Sequence, residues 1–448
     1  MAPVITPVTG PARTPDTSTE VDQQKVDMAL RTIRADVPMN QSQLANALRN
    51  PNLNQAERNE IVKTLAGEDG QQLRFFGNDA ARSIHDEGGT SLSDDQTVIA
   101  DALQQAYDDG AIDQKDLLRI ADVNEAGNGA QRLMAILQQG TTTTEANGVA
   151  EKLADALWAR NEGSDRAAAS IFYTSDPTMM SRNLNTADKR AEAFEALVDF
   201  NDGNPYEHIP EGYQRTVWQN AALTAEGRLF NAHSQELMDR YTGQDGTTVA
   251  TEPLAKFMSQ TLFNPDAQGI VLNRTQDLVP TIRTAMGNAA QTYLDRATDA
   301  PNGSLEQSRA MQQFGRLAAS VTGGAAKALD AYDDAIMANE ESKKQFSDMV
   351  GGVIGMTPLG TALDKIPAGG GDQLVEALSG KIYDAMVEHP DRPDAALSGV
   401  LYDQYAGQAE QASDQTGENL STYFESGYSA EVLNLQQNLN VNLGGHQS

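Results

Sequence analysis

A complete set of helix signals occurs in one segment, Ser304-Leu-Glu-Gln-Ser-Arg-Ala-Met-Gln-Gln-Phe-Gly-Arg-Leu-Ala-Ala-Ser-Val-Thr-Gly-Gly324. Ser304 with Gln307 forms a capping box, which satisfies the free N–H groups of a first helical turn. Apolar residues then recur every three or four positions, which places them on one helical face: Met311, Phe314, Leu317 and Val321. We expect the terminal glycine pair to interrupt this helix before a further helix runs toward Met337.

The same signals recur on both sides of this segment. Asn54 and Glu57 form a second capping box, ahead of an apolar face made by Ile61, Val62 and Leu65. Pro253 suits the first turn of a helix, and an apolar stripe follows it: Leu254, Phe257, Met258 and Leu262. Toward the carboxyl terminus we expect helices over 372–387, 394–406 and 430–440, with a polar segment over 414–429.

Strand signals are nearly absent, because runs of β-branched residues are short and alternation appears only over 439–443. The sequence therefore predicts an all-α fold with little or no β-sheet. We expect a multi-helix bundle built from short helical hairpins.

A five-residue element recurs at offsets of 55 and 54 residues: Leu44-Ala-Asn-Ala-Leu48, Ile99-Ala-Asp-Ala-Leu103 and Leu153-Ala-Asp-Ala-Leu157. The first two copies each lead to a turn and a second amphipathic helix, over 57–65 and 115–121. A helical hairpin used two or three times explains this pattern. The alternative is chance recurrence of a common helical sequence in an alanine-rich chain.

The turn over 107–116 resembles half a calcium loop, but its first ligand positions carry no carboxylate. We therefore interpret it as a helix corner capped by Asp113.

The composition limits the chemistry available to the protein. Its 63 acidic and 33 basic residues give a net charge of −30, a field that repels nucleic-acid phosphates and anionic membranes. There is no cysteine, so disulfides, thiolate nucleophiles and cysteine-based zinc sites are excluded. No phosphate-binding loop, nucleophile elbow or dinucleotide fingerprint occurs. We therefore expect no nucleic-acid partner, no cofactor and no metal.

The first 22 residues carry prolines at every fourth position, threonines and no apolar run. This is not a Sec signal peptide, which needs an apolar core, and proline at that density opposes helix and sheet alike. We predict a disordered leader over 1–22. Three parts are expected after it: an amino-terminal helical domain over 23–200, a central helical domain over 213–365, and carboxyl-terminal helices with a tail over 372–448.

The longest irregular connection, over 200–213, is the strongest candidate for a site. It gathers polar and titratable residues, and long loops in compact domains are often functional. A carboxylate next to a histidine is the pairing that acid–base catalysis uses, so the weak catalytic candidates are His208, Glu207 and Asp202. A plain inter-domain linker is the alternative, and His85 beside Asp86 is a second, equally weak pairing.

The segment Met349–Leu363 is uncharged and rich in glycine and aliphatic residues. It is shorter than a spanning helix, which needs about 20 apolar residues, and Pro358 breaks it. Small residues at Gly351, Gly352 and Gly355 allow helices to approach closely. We expect a buried helix here, with a membrane-seeking element as the alternative.

Taken together, the leader, the absent cysteine, Phe263-Asn-Pro-Asp-Ala-Gln-Gly-Ile270 and the segment from Gly315 to Gly324 resemble helical secreted effectors and toxin-delivery regions of Gram-negative bacteria. Harpin-like and gatekeeper proteins of type III secretion share the acidic, cysteine-free character, although harpins are richer in glycine. The resemblance is diffuse and transfers no catalytic residue.

It implies an exported effector or toxin-associated virulence protein that uses no Sec signal and acts through a protein partner, either a secretion chaperone or a target. Three alternatives stay open: a hydrolytic toxin with its site near 200–213, a membrane-active protein using 349–363, and a cytoplasmic helical scaffold.

Overall fold

The computed structural model describes residues 20–34, 41–67, 94–123, 148–160, 162–202, 213–243, 251–265, 278–355, 370–441 and 443. These residues form eighteen α-helices and one π-helical turn, and no strand occurs among them. The predicted all-α fold is confirmed. The leader predicted over residues 1–22 lies outside the described residues up to position 19.

The helices of the first half have between 7 and 16 residues. In chain order they are α1 (Gln23–Arg34), α2 (Gln41–Leu48), α3 (Gln55–Gly67), α4 (Asp94–Asp108), α5 (Gln114–Val123), α6 (Val149–Arg160), α7 (Gly163–Tyr173), α8 (Pro177–Asn183) and α9 (Ala187–Asp202).

The second half contains the longest helices of the described part. They are α10 (Tyr213–Thr242), α11 (Glu252–Phe257) with its continuation π1 (Met258–Leu262), α12 (Leu278–Asp299), α13 (Leu305–Ala331), α14 (Asp333–Ile336), α15 (Glu340–Gly355), α16 (Gly370–Glu388), α17 (Pro393–Thr416) and α18 (Leu420–Leu439).

Contacts divide the chain into two units. Unit 1 comprises Met1–Asn161 and His208–Val217, and unit 2 comprises Glu162–Glu207 and Trp218–Ser448. The three-part division expected from the sequence stays a prediction.

Unit 1 contains two helix–turn–helix corners, α2–α3 and α4–α5, that close on the same type of cap. The side chain of Asn54 accepts a hydrogen bond from the N–H of Glu57, and the Glu57 carboxylate accepts one from the N–H of Asn54, each at 2.8 Å. Asp113 and Asp116 exchange the equivalent pair at 3.1 and 3.0 Å. Both predicted caps are confirmed, and the first two copies of the recurring pentapeptide lie in α2 and α4, the first helix of each corner.

The centre of unit 2 is aromatic. Phe194 of α9, Phe230 of α10 and Phe257 of α11 are fully buried and pack together, with the rings of Phe230 and Phe257 stacked at a centroid distance of 4.6 Å. A second group surrounds Phe314 of α13 and joins it to α17 and α18 through Tyr405 and Phe424.

Helix α13 runs unbroken through Gly323 and Gly324 to Ala331, so the predicted interruption is wrong. A methyl group on Gly324 would lie 2.8 Å from the carbonyl oxygen of Ala255 and from Cβ of Met258, and one on Gly323 would lie 3.0 Å from the side chain of Leu435. The two glycines therefore allow α11, π1 and α18 to approach α13, and the packing gained offsets their low helix propensity.

The last helix begins at Leu420, ten residues before the predicted start at position 430. Leu420, Phe424 and Tyr428 are buried at four-residue spacing on α18. The polar residues between them hide this stripe in the sequence. Helix α17 likewise continues to Thr416, beyond the predicted end at position 406.

Within the described ranges, no helix combines the length and the apolar character that crossing a bilayer requires. Of the segment 349–363, the part up to Gly355 ends helix α15, and Val350 and Val353 are buried there; residues 356–363 lie outside the described part. A methyl group on Gly351 would meet Ser379 of α16, so the predicted close helix approach is confirmed at this glycine.

Candidate functional site

Of the three candidate catalytic residues, only Asp202 lies in the described part of the chain, because Glu207 and His208 fall in 203–212. His85 also lies outside it. Asp202 is the last residue of α9, and it belongs to a group of charged residues from three helices of unit 2, α9, α11 and α13.

Two lysines hold the carboxylate of Asp202, one at each oxygen. Oδ1 lies 2.7 Å from Nζ of Lys327 on α13, and Oδ2 lies 3.3 Å from Nζ of Lys256 on α11. Both oxygens are thus engaged by cations. In this arrangement Asp202 neutralises the charge of two lysines and links the end of α9 to α11 and α13.

Lys256 is the centre of the charged group. Its Nζ also lies 2.7 Å from Glu252 and 2.9 Å from Asp199, and its side chain is 11% exposed. Burial alone would lower the pKa of Lys256, but hydrogen bonds from its ammonium group to Glu252 and Asp199 outweigh burial and raise that pKa. Lys256 is therefore a permanent cation that joins α9 to α11.

A fully buried carboxyl group, Glu226 of α10, lies next to these ion pairs. Asn201 Nδ2 donates a hydrogen bond to its Oε1, and Thr261 Oγ1 lies 3.1 Å from its Oε2. The pKa of Glu226 is raised to about 8. Burial is the largest cause and the negative charge of Asp202 adds to it, while the hydrogen bonds from Asn201 and Thr261 partly offset the rise. At neutral pH Glu226 is accordingly a neutral acid inside the protein.

The backbone of π1 shapes the contact surface around Glu226. Thr261 and Gln260 both lie in this π-helical turn, and Gln260 Nε2 donates a hydrogen bond to the carbonyl oxygen of Val198 on α9 at 3.1 Å. Gly324 leaves the room that this turn occupies against α13. Single π-turns often occur at functional positions in helices.

A second polar arrangement lies at a kink in α10. His233 has non-helical backbone angles, φ −135° and ψ 27°, and Glu236 accepts two hydrogen bonds from Arg190 of α9 at 2.7 and 2.6 Å. Burial and then the charge of Arg190 lower the pKa of His233. Both effects favour the neutral imidazole, which lies next to the ion pair of Arg190 with Glu236.

Sequence reasoning missed Glu226, Lys256 and Lys327, although two signals were present. Glu226 follows the run Ala221-Ala-Leu-Thr-Ala225, so it is an acid within an apolar helical segment. Glu252 and Lys256 have the i, i+4 spacing of a helical ion pair. The fact that both lysines meet Asp202 depends on how α9, α11 and α13 pack, which no local pattern contains.

Across the described ranges, no group of three or more His, Asp or Glu side chains is placed to hold a metal ion. Comparison with known proteins returned no matching protein family, no matching curated protein and no matching solved structure.

Proposed function

We propose that this chain is an exported bacterial helical protein that acts by binding a protein partner. The proline- and threonine-rich leader, the absence of cysteine and the acidic helical body support export by a dedicated system. A cysteine-free chain does not depend on the redox state of the compartments between which it moves.

The binding proposal rests on the distribution of charge along the α17–α18 hairpin. No lysine or arginine follows Arg392, whereas the acids after it are Asp394, Asp403, Glu410, Asp414, Glu418, Glu425 and Glu431. Asp403, Glu410 and Asp414 are exposed, and their spacings of seven and four residues place them along one face of α17. The hairpin thus displays a stripe of negative charge on a rigid helix.

The surroundings of Tyr402 show that this charge is concentrated. The pKa of Tyr402 is raised by burial and by the negative charges of Glu425, Asp403 and Glu410. Its ring packs between α17 and α18, 5.0 Å from that of Tyr428. Carboxylates from both helices therefore surround one half-buried aromatic ring.

A surface of this kind favours a partner with a basic face. Complementary charge increases the rate of encounter and disfavours acidic competitors. A secretion chaperone or a target protein with a positively charged docking surface meets this requirement. The double lysine pairing of Asp202 further supports binding over catalysis, because it gives that carboxylate a structural role.

Export through the leader is tested by deleting residues 2–19. The deletion stops there because Asn54 donates a hydrogen bond to the carbonyl oxygen of Glu20, and the N–H of Asp22 donates one to Glu57. We expect the shortened chain to keep its thermal midpoint and to remain inside the producing cell. Export at the level of the full chain, with the midpoint unchanged, would contradict the proposal.

A further inference from the structure

The polar contacts of Glu226 join three separate elements of unit 2. Asn201 belongs to the last turn of α9, Glu226 to the middle of α10, and Thr261 to π1. Both carboxyl oxygens of Glu226 are engaged, and the side chain has no exposure to solvent. A charge in this position has no water to stabilise it, so its protonation state bears directly on whether the three elements stay together.

The charged groups around Glu226 make its ionised form still less favourable. The nearest is Asp202, on the same turn of α9 as Asn201, and its charge acts on Glu226. The two lysines that face this corner, Lys256 of α11 and Lys327 of α13, are paired with Asp202, and Lys256 also with Asp199 and Glu252. No described cation is hydrogen-bonded to Glu226 itself. Within the described part of unit 2, a negative charge on Glu226 would therefore lie beside Asp202 without a counter-ion of its own.

We propose that Glu226 is a proton-dependent latch: while protonated it holds the last turn of α9 against α10 and π1, and loss of the proton releases that turn. Release relieves two unfavourable interactions at once, because it admits water to the Glu226 carboxylate and moves Asp202 away from it. The ion pairs of Asp202 with Lys256 and Lys327 oppose release, since they anchor the same turn. The equilibrium between docked and released states thus depends on loss of one proton, which favours release, and on two ion pairs, which oppose it. This proposal does not depend on the proposed partner binding.

The direction of the pH dependence follows from the shift in pKa. Glu226 has a pKa of about 8 when docked, and its ordinary value, 4.5, applies once the group is hydrated. Between these values the docked state binds a proton that the released state lacks, so docking weakens as pH rises. One proton corresponds to about a tenfold increase in the release equilibrium per pH unit. The contribution is complete below pH 4.5 and lost once pH exceeds about 8.

The test compares the full chain with Glu226→Gln and a matched control, Glu236→Gln, which lies on the same helix. The glutamine amide keeps a hydrogen-bond acceptor for Asn201 and does not titrate. The hydrogen bond from Arg190 lowers the pKa of Glu236. Replacing Glu236 by glutamine therefore leaves the pH dependence of protection unchanged from neutral pH upward. The measurement is amide hydrogen exchange of the α9 carboxyl-terminal turn and of π1, taken as the ratio of protection in wild type to protection in Glu226→Gln at each pH.

We expect that ratio to fall by about tenfold per pH unit on approaching pH 8, and the same ratio taken for Glu236→Gln to stay flat. Asp202→Asn removes the neighbouring negative charge, so it should move the transition to lower pH. A ratio that does not change with pH would overturn the proposal. If Glu226→Gln does not fold, the carboxyl carbon of Glu226 in the wild type decides the matter by NMR: a titration midpoint near 8 supports the latch, and a midpoint below about 6 contradicts it.

Discussion

At the scale of single residues, Lys256 shows why the charged group belongs to the fold. Its ammonium group is buried and meets three carboxylates, from Asp199, Asp202 and Glu252. A buried cation is tolerated only when partners replace its lost hydration. Removing the lysine should leave acidic side chains that repel one another at the junction of α9 and α11.

We predict that Lys256→Met lowers the free energy of unfolding by about 2 kcal/mol. This is less than the roughly 3–5 kcal/mol expected when a fully buried pair loses one member, because Asp199 is exposed and can be rehydrated. Chemical denaturation measures the change. The control is Lys344→Met, at an exposed position in the same unit, which should change the free energy by less than about 0.5 kcal/mol. Equal effects of the two substitutions would show that Lys256 is an ordinary surface charge.

Sequence reasoning selected Asp202 as a candidate catalytic residue, without information on its ion-pair partners. The expectation came from its place at the start of a polar connection beside His208. The packing of α11 and α13 instead brings Lys256 and Lys327 to it from distant parts of the chain. Side-chain identity is local information, whereas the identity of an ion-pair partner is set by tertiary contacts.

At the scale of helices, the sequence predicted capped starts better than the other helix boundaries. The capping box at Asn54 and the cap at Asp113 were predicted correctly, because a cap is made within four residues. At Ser304 the hydroxyl accepts the N–H of Gln307 at 3.1 Å, as expected, while the Gln307 side chain accepts the N–H of Gly303. The glycine pair at 323–324 was misjudged because helix propensity is a weak preference that close packing overrides.

The crossing of α13 and α18 depends on glycines that touch the backbone of the other helix. A methyl group on Gly315 would collide with the carbonyl oxygen of Phe424 and lie 2.9 Å from the N of Tyr428. A methyl group on Gly427 would collide with the carbonyl oxygen of Gln312. Backbone atoms cannot move aside as a flexible side chain can, so the two helices would have to separate.

We predict that Gly315→Ala and Gly427→Ala each destabilise the protein by about 1–3 kcal/mol, the usual cost of overpacking. Gly407→Ala on α17 is the control, because a methyl group there meets nothing within 4 Å. It should raise the free energy of unfolding by about 0.5–1 kcal/mol through the lower backbone entropy of alanine in the unfolded chain. Thermal and urea unfolding of the three variants give the comparison. Stabilisation by alanine at position 315 would contradict the close crossing.

At the scale of the whole molecule, the all-α fold could be predicted from the sequence because apolar periodicity and the scarcity of strand signals are properties of short windows. The charge of −30 could likewise be counted directly. The place where that charge concentrates could not be predicted from the sequence, because it depends on which faces of α17 and α18 are exposed to solvent. Burial of Leu420, Phe424 and Tyr428 leaves Glu425 of α18 exposed, whereas Glu431 on the same helix is buried.

The central claim is that the acidic stripe on α17 recruits a basic partner, and a binding measurement tests it most directly. The probe is immobilised polylysine, and the variant combines Asp403→Asn, Glu410→Gln and Asp414→Asn. The control combines Asp333→Asn, Asp334→Asn and Glu341→Gln, which removes the same number of exposed negative charges from α14 and α15.

At about 0.2–1 kcal/mol for each exposed charge, we predict that the α17 variant binds the probe about fivefold more weakly and loses much of its salt dependence. The control variant should lose markedly less affinity. Equal loss in both variants would mean that the probe senses only net charge, and it would contradict the assignment of the partner surface to the α17–α18 hairpin.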